Sequence, residues 1–338
     1  MSELGEFELI SRLVESAESA RAGRPIAWGA PVVVGSGDDA AVTTPAGATA
    51  TSVDALVEGV HFRRDGWPLA SVGRKALAAA LSDLAAMGAA PGEAYVVLGV
   101  PDDLDEDGCI ELASGLSDAA ARHGVAILGG DVTRSPGLAL GITVVGHAPS
   151  ADLLVRRSGA RPSDVLAVTG ELGGAAAGLL LIDRPELAEG LTVETVAALK
   201  RRQLEPEPRL DAGRALAAAG ATAMIDLSDG LGGDAGHLAA ASAVGLTIDL
   251  AELPVQEGVA AVAAAVSVDA HELATARGED YELLVTLPSN GLDAAREALA
   301  TKRVALTAIG VVGPGSGVIL REPDGSERRP DGYDQLRR

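Results

Sequence analysis

Hydrophobic residues recur with two different periods along the chain, and the two periods alternate from one segment to the next. A spacing of three and four residues predicts amphipathic helices, whereas short apolar runs that end at glycine or polar residues predict strands. The predicted helices cover residues 5–20, 69–87, 112–123, 173–182, 210–219, 231–243 and 292–300. The predicted strands cover residues 32–34, 41–44, 49–53, 95–100, 125–128, 139–145, 165–168, 223–227, 246–250, 281–286 and 308–312. This mixture predicts an α/β (α+β) fold.

A polar stretch near the middle of the chain predicts a domain boundary. Residues 148–161 turn polar and include Arg156, Arg157 and Arg161, a composition typical of a junction. The length of 338 residues also favours two domains. We therefore expect an N-terminal domain with a mixed sheet over residues 1–148 and a C-terminal α/β domain over residues 149–338.

Charge and composition narrow the classes of function. The net charge of −21 repels phosphate backbones and anionic lipid surfaces, so we expect neither nucleic acid nor a membrane as a partner. The single cysteine, Cys109, cannot form an intramolecular disulfide, and the first residues carry Glu3, Glu6 and Glu8 instead of a basic start. The apolar stretch 259–266 is far shorter than the roughly 18–20 residues of a membrane-spanning helix. These features predict a cytoplasmic protein.

Aspartates follow the predicted strands at several separate places. The acids at predicted strand ends are Asp38, Asp39, Asp54, Asp131, Asp226 and Asp229, and such positions can converge on one crevice of an open sheet. The chain has no Lys or Arg between Arg24 and Arg63, while two carboxylates about 4 Å apart repel by roughly 4 kcal/mol at an effective dielectric of about 20. Hard oxygen ligands favour Mg²⁺, Mn²⁺ or Ca²⁺ over zinc. The alternative is that each Asp after a glycine only stabilises a turn.

Asp83 occupies an unusual position for an acid. At 100° per residue it lies on the same helical face as Ala76, Ala80 and Met87, which is small and apolar rather than solvated. Asp also has a low intrinsic preference for helix interiors. A metal or phosphate site would explain its position, whereas the alternative is an acid at the edge of the helix with no such role.

The sequence contains no convincing motif for binding a nucleotide through glycine-rich backbone. Residues 35–40, GSGDDA, match a dinucleotide fingerprint, but no helix follows them and two acids would face the phosphates. No phosphate-binding loop of the Gly-x-x-x-x-Gly-Lys-Ser/Thr type occurs either. Any use of ATP must therefore depend on metal ions. Lys75 or Arg157 could supply an additional positive charge for the phosphates. Acids at positions 105–107 precede Cys109 and disfavour its action as a nucleophile.

A series of short motifs, in order, resembles one enzyme family along nearly the whole chain. The motifs are GEFELI, GSGDDAAV, SVDALVEGVHF, KALAAALSDLAAMGA, LGGDVTR, RRSGARPSD, IDLSDGL, GEDYEL and a terminal GYD. Their order is similar to that of the thiamine-monophosphate kinases, within the aminoimidazole ribonucleotide synthetase-like superfamily. The resemblance implies a two-domain fold that dimerises through its N-terminal sheets. It also implies transfer of the γ-phosphoryl group of ATP to thiamine monophosphate, assisted by several Mg²⁺ ions.

Carried over position by position, the resemblance implies a set of site residues. The implied metal ligands are Asp39, Ser52, Val53, Asp54, Asp83, Asp131, Asp226 and Asp229. The implied ATP contacts are Gly130, Asp131, Arg157 and Ser228, and the implied substrate contacts are His61, Glu279 and Tyr333. Asp54, Asp131 and Asp229 are the expected catalytic residues. Val53 stands where the family usually has threonine, so a metal contact there would use the backbone carbonyl.

Direct in-line transfer suits this set of residues, because the acceptor is a phosphate oxygen that is already ionised and needs no strong base. Two other interpretations stay open at this point. One is another reaction of the superfamily, chiefly an ATP-dependent ribonucleotide synthetase, and the other is a regulatory protein that binds Mg-nucleotide without turnover. The VEGVHF and GEDYEL motifs favour the kinase over the synthetase.

Overall fold

The computed structural model describes residues 12, 15, 31–36 and 39–330. The predicted helix 5–20 therefore lies outside the described residues except at positions 12 and 15. The described chain divides into two compact units. The first contains the residues up to Leu84 together with Ala89–Ala151, and the second contains Ala85–Gly88 together with the residues from Asp152 onward.

The first unit is built around a four-stranded mixed sheet. Its elements in chain order are β1 (Val32–Val34), β2 (Val42–Thr43), β3 (Ala48–Val57), α1 (Leu69–Ala86), β4 (Ala90–Val100), α2 (Glu106–His123), β5 (Ala126–Arg134) and β6 (Ala139–Ala148). The sheet has the order β3-β6-β4-β5, in which β4 and β5 are parallel and the other neighbours are antiparallel. β1 and β2 form a separate antiparallel pair. Strands β3 and β5 are therefore the two edges of the four-stranded sheet.

The two faces of this sheet differ because alternate residues point to opposite sides. One face carries buried Leu56, Leu98 and Ile142. The opposite face carries Val53 and Val97, whose exposed fractions are 68% and 50%. The sheet thus packs against the helices on one side and presents apolar side chains on the other.

Helices α1 and α2 cross at close range, at a pair of glycines. A Cβ atom on Gly73 would lie 2.1 Å from the carbonyl oxygen of Leu112, and one on Gly115 would lie 1.9 Å from that of Ala70. Real Cβ atoms do not approach other atoms so closely, so both positions require glycine for close packing. Asp105 caps the start of α2 by accepting a hydrogen bond from the amide of Gly108 at 2.9 Å. The crossing fixes α1, the helix that carries Asp83.

The second unit contains a seven-stranded mixed sheet in the order β13-β12-β9-β11-β7-β10-β8. Its strands are β7 (Val165–Thr169), β8 (Ala223–Asp226), β9 (Gly245–Asp249), β10 (Leu283–Leu287), β11 (Leu306–Gly313), β12 (Gly317–Arg321) and β13 (Glu327–Arg328). Its helices are α3 (Gly174–Asp183), α4 (Val193–Leu204), α5 (Leu210–Ala218), α6 (Leu231–Ser242), α7 (Val259–Ala265), α8 (Ala270–Ala276) and α9 (Leu292–Ala300). All five residues of β10 are buried, as expected of a central strand that is covered on both faces.

The structure confirms the mixed α/β fold class and corrects several predicted bounds. Strand β4 begins at Ala90 rather than at residue 95, because Pro91 is accommodated in the sheet beside a register irregularity between Pro91 and Glu93. Strand β3 continues to Val57 and β5 to Arg134. Asp54 and Asp131 therefore lie within strands, and the prediction that they follow strand ends was wrong. In the sequence, glycines and aspartates interrupt the alternation of apolar and polar residues, so the predicted strands ended too early.

Within the described part of the chain, no single helix combines the length and the apolar character needed to cross a membrane. Helices α7 and α8, bent by 102° relative to each other, meet that criterion only when they are counted together.

We predict that Gly115→Ala destabilises the protein by about 2 kcal/mol, because the added methyl group forces the backbones of α1 and α2 apart. Urea denaturation measures this change in the free energy of unfolding. Gly236→Ala in α6 is the matched control, since a Cβ atom there meets nothing within 4 Å. The control variant should gain about 0.5–1 kcal/mol. Equal stability of the two variants would contradict the close helix crossing.

Candidate functional site

Helix α1 and strand β3 bring two of the predicted site residues together. The hydroxyl of Ser52 donates a hydrogen bond to a carboxylate oxygen of Asp83. Ser52 lies on the face of β3 that also carries Leu56 and packs against the helices. The small apolar face around Asp83 is therefore the face that contacts the sheet, which explains the unusual acid in the middle of α1.

Strand alternation places Asp54 on the same face of β3 as Ser52, since the two are separated by one residue. Both side chains are partly buried. Val53 lies between them, and its side chain points to the exposed face. The side chain of Val53 therefore does not reach a ligand on the side of Ser52 and Asp54.

Asp131 lies far from these residues within one chain. It belongs to the edge strand β5 and pairs in register with Val97, so it shares the exposed face of the sheet. Strands β3 and β5 are separated by three interstrand spacings, about 14 Å in total. The structure thus does not bring Asp131 to Ser52 and Asp83. The neighbouring Gly130 is required for packing, because a Cβ atom there would lie 1.9 Å from the carbonyl oxygen of Val96.

His61 lies in the turn that follows β3. Its Nδ1 accepts a hydrogen bond from the backbone amide of Val57 at 3.0 Å, and its own amide donates to the carbonyl oxygen of Val57 at 2.9 Å. A ring nitrogen that accepts is unprotonated, so in the neutral ring the proton lies on Nε2. His61 therefore has an N–H group that is able to donate to an anion.

In the second unit, three aspartates lie around the turn between β8 and α6. Asp226 ends β8 and is buried, Asp229 lies in the turn, and Asp234 lies in the first turn of α6 with 2% exposure. The carboxylate of Asp234 accepts a hydrogen bond from the backbone amide of Asp229 at 3.0 Å. Burial, and secondly the charge of Asp226, raise the pKa of Asp234 to about 8.

Sequence reasoning missed Asp234. An acid in the first turn of a helix normally interacts with the free amides there, so its position gave no distinctive signal. Its short spacing from the two predicted ligands in IDLSDGLGGD was the available signal.

The loop at residues 278–281 is held tightly against the same turn. The amide of Glu279 donates to the carbonyl oxygen of Ser228 at 2.9 Å, and the amide of Tyr281 donates to that of Leu227 at 2.9 Å. A Cβ atom on Gly278 would lie 1.8 Å from the carbonyl oxygen of Ser228. The loop motif GEDYEL and the turn motif IDLSDGL are thus joined through their backbones, which places the predicted residues Ser228 and Glu279 side by side.

Glu279 and Tyr281 adopt a backbone conformation that is unfavourable for side chains other than glycine. Their φ angles are +70° and +51°, in the left-handed region. Asp280, between them, is buried and accepts hydrogen bonds from the amides of Gly173 at 2.8 Å and Ala175 at 3.1 Å, at the start of α3. Burial raises the pKa of Asp280 to about 6, against the opposing charge of Arg202. The contacts of Asp280 therefore help to hold the strained loop.

A buried cluster of charges anchors the other side of this loop. Glu282 has no exposed surface and accepts hydrogen bonds from Arg202 at 3.0 Å and from Arg209 Nε at 2.7 Å. The hydroxyl of Thr169 in β7 donates to the same carboxylate at 2.7 Å. Breaking a buried pair of this kind leaves an uncompensated charge and is strongly destabilising. The sequence did not predict this cluster, because its members are up to 113 residues apart.

Arg157 lies on an exposed loop whose backbone is fixed by a serine of α6. The hydroxyl of Ser242 donates to the carbonyl oxygen of Arg157 at 2.9 Å, and it accepts from the amides of Gly159 and Ala160 at 3.1 and 3.2 Å. This arrangement leaves the guanidinium of Arg157 exposed.

Two predicted site residues remain, Asp39 and Tyr333. Asp39 is exposed. Tyr333 lies outside the described residues, as does Asp38. Among residues 31–36 and 39–330, no group of three or more His, Cys, Asp or Glu side chains is arranged to hold a metal ion.

The donors that are present nevertheless fit Mg²⁺ in kind. Ser52, Asp83 and the acids of the β8–α6 turn supply only oxygen atoms, which are the ligands of hard divalent cations. In the second unit, the pKa of Asp234 is raised first by burial and then by the charge of Asp226, so these two acids lie close to each other.

Comparison with known proteins identifies related sequences and structures along most of the chain. The model of the AIR synthase related protein, N-terminal domain, matches residues 37–148, and that of the corresponding C-terminal domain matches residues 161–322. Thiamine-monophosphate kinase of Escherichia coli strain K12 is 39% identical over 310 residues, which cover 90% of this chain and 90% of the relative.

Two solved structures extend this similarity to the fold. Thiamine-monophosphate kinase from Stenotrophomonas maltophilia K279a matches with a TM-score of 0.81 and 34% identity, covering 93% of this chain and 96% of that one. The structure of AaThiL complexed with AMPPCP and TMP matches with a TM-score of 0.75 and 30% identity, covering 98% of this chain and 97% of that one. On this evidence the chain belongs to the thiamine-monophosphate kinase family of AIR synthase related proteins.

Proposed function

We propose that this protein transfers the γ-phosphoryl group of ATP to thiamine monophosphate, which gives thiamine diphosphate and ADP. The observation that carries the proposal is the structural relative that binds AMPPCP, an analogue of ATP, together with TMP. Family membership and the local structure around Ser52, Asp83, Ser228 and Glu279 support it.

Each unit contributes oxygen ligands for Mg²⁺ in this proposal. The first unit supplies Asp39, Ser52, the carbonyl of Val53, Asp54, Asp83 and Asp131, and the second supplies Asp226 and Asp229. Bound Mg²⁺ neutralises phosphate charge and so allows two phosphorylated molecules to approach each other. The hydrogen bond from Ser52 orients the carboxylate of Asp83 before any ligand binds.

Other residues bind and orient the two substrates. Gly130, Asp131, Arg157 and Ser228 are assigned to ATP, and the exposed guanidinium of Arg157 is suited to a bidentate phosphate contact. His61, Glu279 and Tyr333 are assigned to thiamine monophosphate. The Nε2–H of His61 donates to an anionic oxygen, and the carboxylate of Glu279 pairs with the cationic thiazolium ring.

The chemistry then requires alignment and charge neutralisation more than proton transfer. The acceptor oxygen belongs to a phosphate that is ionised at neutral pH, so no strong general base is needed. Direct in-line transfer follows, with Asp54, Asp131 and Asp229 as the proposed catalytic residues. Rigid positioning of the reacting groups supplies much of the rate acceleration in such reactions.

The strand order supports a homodimer as the active form. Asp131 and Asp54 lie on opposite edges of the sheet, about 14 Å apart, and Asp131 faces the exposed side with Val53 and Val97. One chain keeps these two acids apart, whereas a second copy that covers the apolar face with its own sheet can place its edge strand β5 beside the first copy's edge strand β3, which carries Asp54. Burial of the exposed valines provides the driving force.

The same proposal assigns a role to each domain. Residues 1–148 form the ATP- and metal-binding and dimerisation domain, and residues 149–338 form the C-terminal α/β domain. The cytoplasm, where ATP is available, is the proposed location.

We predict ATP-dependent formation of thiamine diphosphate from thiamine monophosphate, measured by chromatography of the products. Addition of a chelator in excess over Mg²⁺ should abolish turnover, and restored Mg²⁺ should recover it. Parallel assays with formylglycinamide and aminoimidazole precursors test the synthetase interpretation. Turnover of these precursors without turnover of thiamine monophosphate would refute the proposal, as would binding of Mg-ATP without any turnover.

Asp54→Asn should lower kcat by roughly 100-fold or more, because it removes a charged oxygen ligand while preserving the shape of the side chain. The melting temperature of the free protein should stay close to that of the wild type. Asp118→Asn, at an exposed acid of α2, is the control and should retain activity. Near-normal turnover of the Asp54 variant would show that its carboxylate is not required.

Val97→Glu should convert the dimer to monomers and abolish activity together, because it places a charge on the exposed apolar face of the sheet. Analytical ultracentrifugation measures the change in mass. Val193→Glu is the matched control, since Val193 is 80% exposed at the start of α4 in the other unit. A Val97 variant that stays dimeric, or a monomer that stays fully active, would reject this interface.

A further inference from the structure

The last turn of helix α4 contacts the strained loop through two consecutive residues. Arg202 donates to the backbone carbonyl of Asp280 at 3.1 Å and to the carboxylate of Glu282 at 3.0 Å. Gln203 donates from Nε2 to Oε2 of Glu279 at 2.7 Å. Helix α4 thus holds the loop at its backbone and also fixes the side chain of Glu279.

Gln203 is placed so that it acts on Glu279 rather than on solvent. Its side chain is 1% exposed, whereas Glu279 is partly exposed. A glutamate carboxylate rotates freely about its last torsion, so a short hydrogen bond to a buried amide selects one orientation. Because Gln203 is itself fixed inside the protein, that orientation is set before substrate binds.

The amide has a second consequence for the charge of Glu279. Arg202, the preceding residue, pairs with a carboxylate as a cation, whereas a glutamine binds a carboxylate without adding positive charge. The amide at position 203 therefore orients Glu279 without adding a positive charge beside its carboxylate.

The loop backbone makes this positioning effective. The amide of Glu279 is bound to Ser228, and the φ angles of Glu279 and Tyr281 are held in the left-handed region. Backbone and side chain of Glu279 are therefore fixed by separate contacts, one from the β8–α6 turn and one from α4. Pre-organisation of this kind improves affinity because little conformational freedom is lost on binding.

We propose that Gln203 is a positioning residue for substrate recognition: its buried amide holds the carboxylate of Glu279 in the orientation that binds the cationic ring of thiamine monophosphate. This inference rests on the proposed function, and it deepens that function by assigning selectivity for a cationic substrate to the pair Gln203 and Glu279.

The test compares Gln203→Met, which keeps the volume but removes the donor, with Gln203→Lys, which supplies a competing cation. Gln203→Met should raise the KM for thiamine monophosphate about tenfold, as expected for one hydrogen bond to a charged group. The kcat and the KM for ATP should change less than about twofold. Gln203→Lys should raise the KM for thiamine monophosphate further.

A second measurement isolates the role of charge. Isothermal titration calorimetry measures the affinity for thiamine monophosphate and for an analogue in which a neutral thiophene replaces the thiazolium ring. The wild-type protein should prefer the cationic ligand, and Gln203→Lys should reduce that preference. This readout also applies to a variant of lowered stability, because it is a ratio of two affinities for the same protein.

Thr222→Val is the matched control, because Thr222, like Gln203, is an uncharged donor to a carboxylate. Its hydroxyl donates to the buried Asp164 at 2.7 Å. It should leave both KM values unchanged. An unchanged KM for thiamine monophosphate in Gln203→Met, or an equal rise in the control, would overturn the inference while the kinase function stands. A wild-type protein that neither binds nor phosphorylates thiamine monophosphate would overturn both.

Discussion

Repulsion between carboxylates in poorly solvated surroundings is the constraint on which the arrangement of this protein depends. The structure resolves it in two different ways. Glu282 lies between two guanidinium groups, those of Arg202 and Arg209. For Asp234, burial and the charge of Asp226 instead raise the pKa to about 8, which favours the protonated form. The first arrangement anchors the strained loop, and the second brings acids together at the β8–α6 turn.

The two solutions lie on either side of one loop, and this explains how the loop keeps a strained backbone. The charge cluster around Glu282 and the amides at the start of α3 hold residues 280 and 282, while the β8–α6 turn holds residues 279 and 281 through their amides. Strain at Glu279 and Tyr281 is tolerated because the contacts on both sides outweigh it. The loop therefore presents Glu279 with little freedom to relax.

The sequence predicted the fold class better than it predicted the positions of the candidate site residues in the fold. Asp83 was identified from helical periodicity alone, because an acid on an apolar helix face has few structural explanations. The structure shows that it accepts a hydrogen bond from Ser52, while its role as a metal ligand stays a prediction. The positions of Asp54 and Asp131 relative to the strand ends were wrong, because strand length depends on pairing with distant segments. Gln203 and Arg209 gave no signal, since their partners are 76 and 73 residues away and only the folded chain brings them together. The order of strands across a sheet is likewise a property of the whole fold, so the separation of Asp54 from Asp131 could not be foreseen.

That separation has a genetic consequence in the proposed dimer. If each site takes Asp54 from one copy and Asp131 from the other, a chain damaged at one edge strand and a chain damaged at the other can share one intact site when they assemble together. Two inactive alleles would then restore part of the lost activity in the same cell, while two alleles altered on the same strand would not. The pattern of complementation between alleles would thus show that β3 and β5 lie at opposite edges of the sheet.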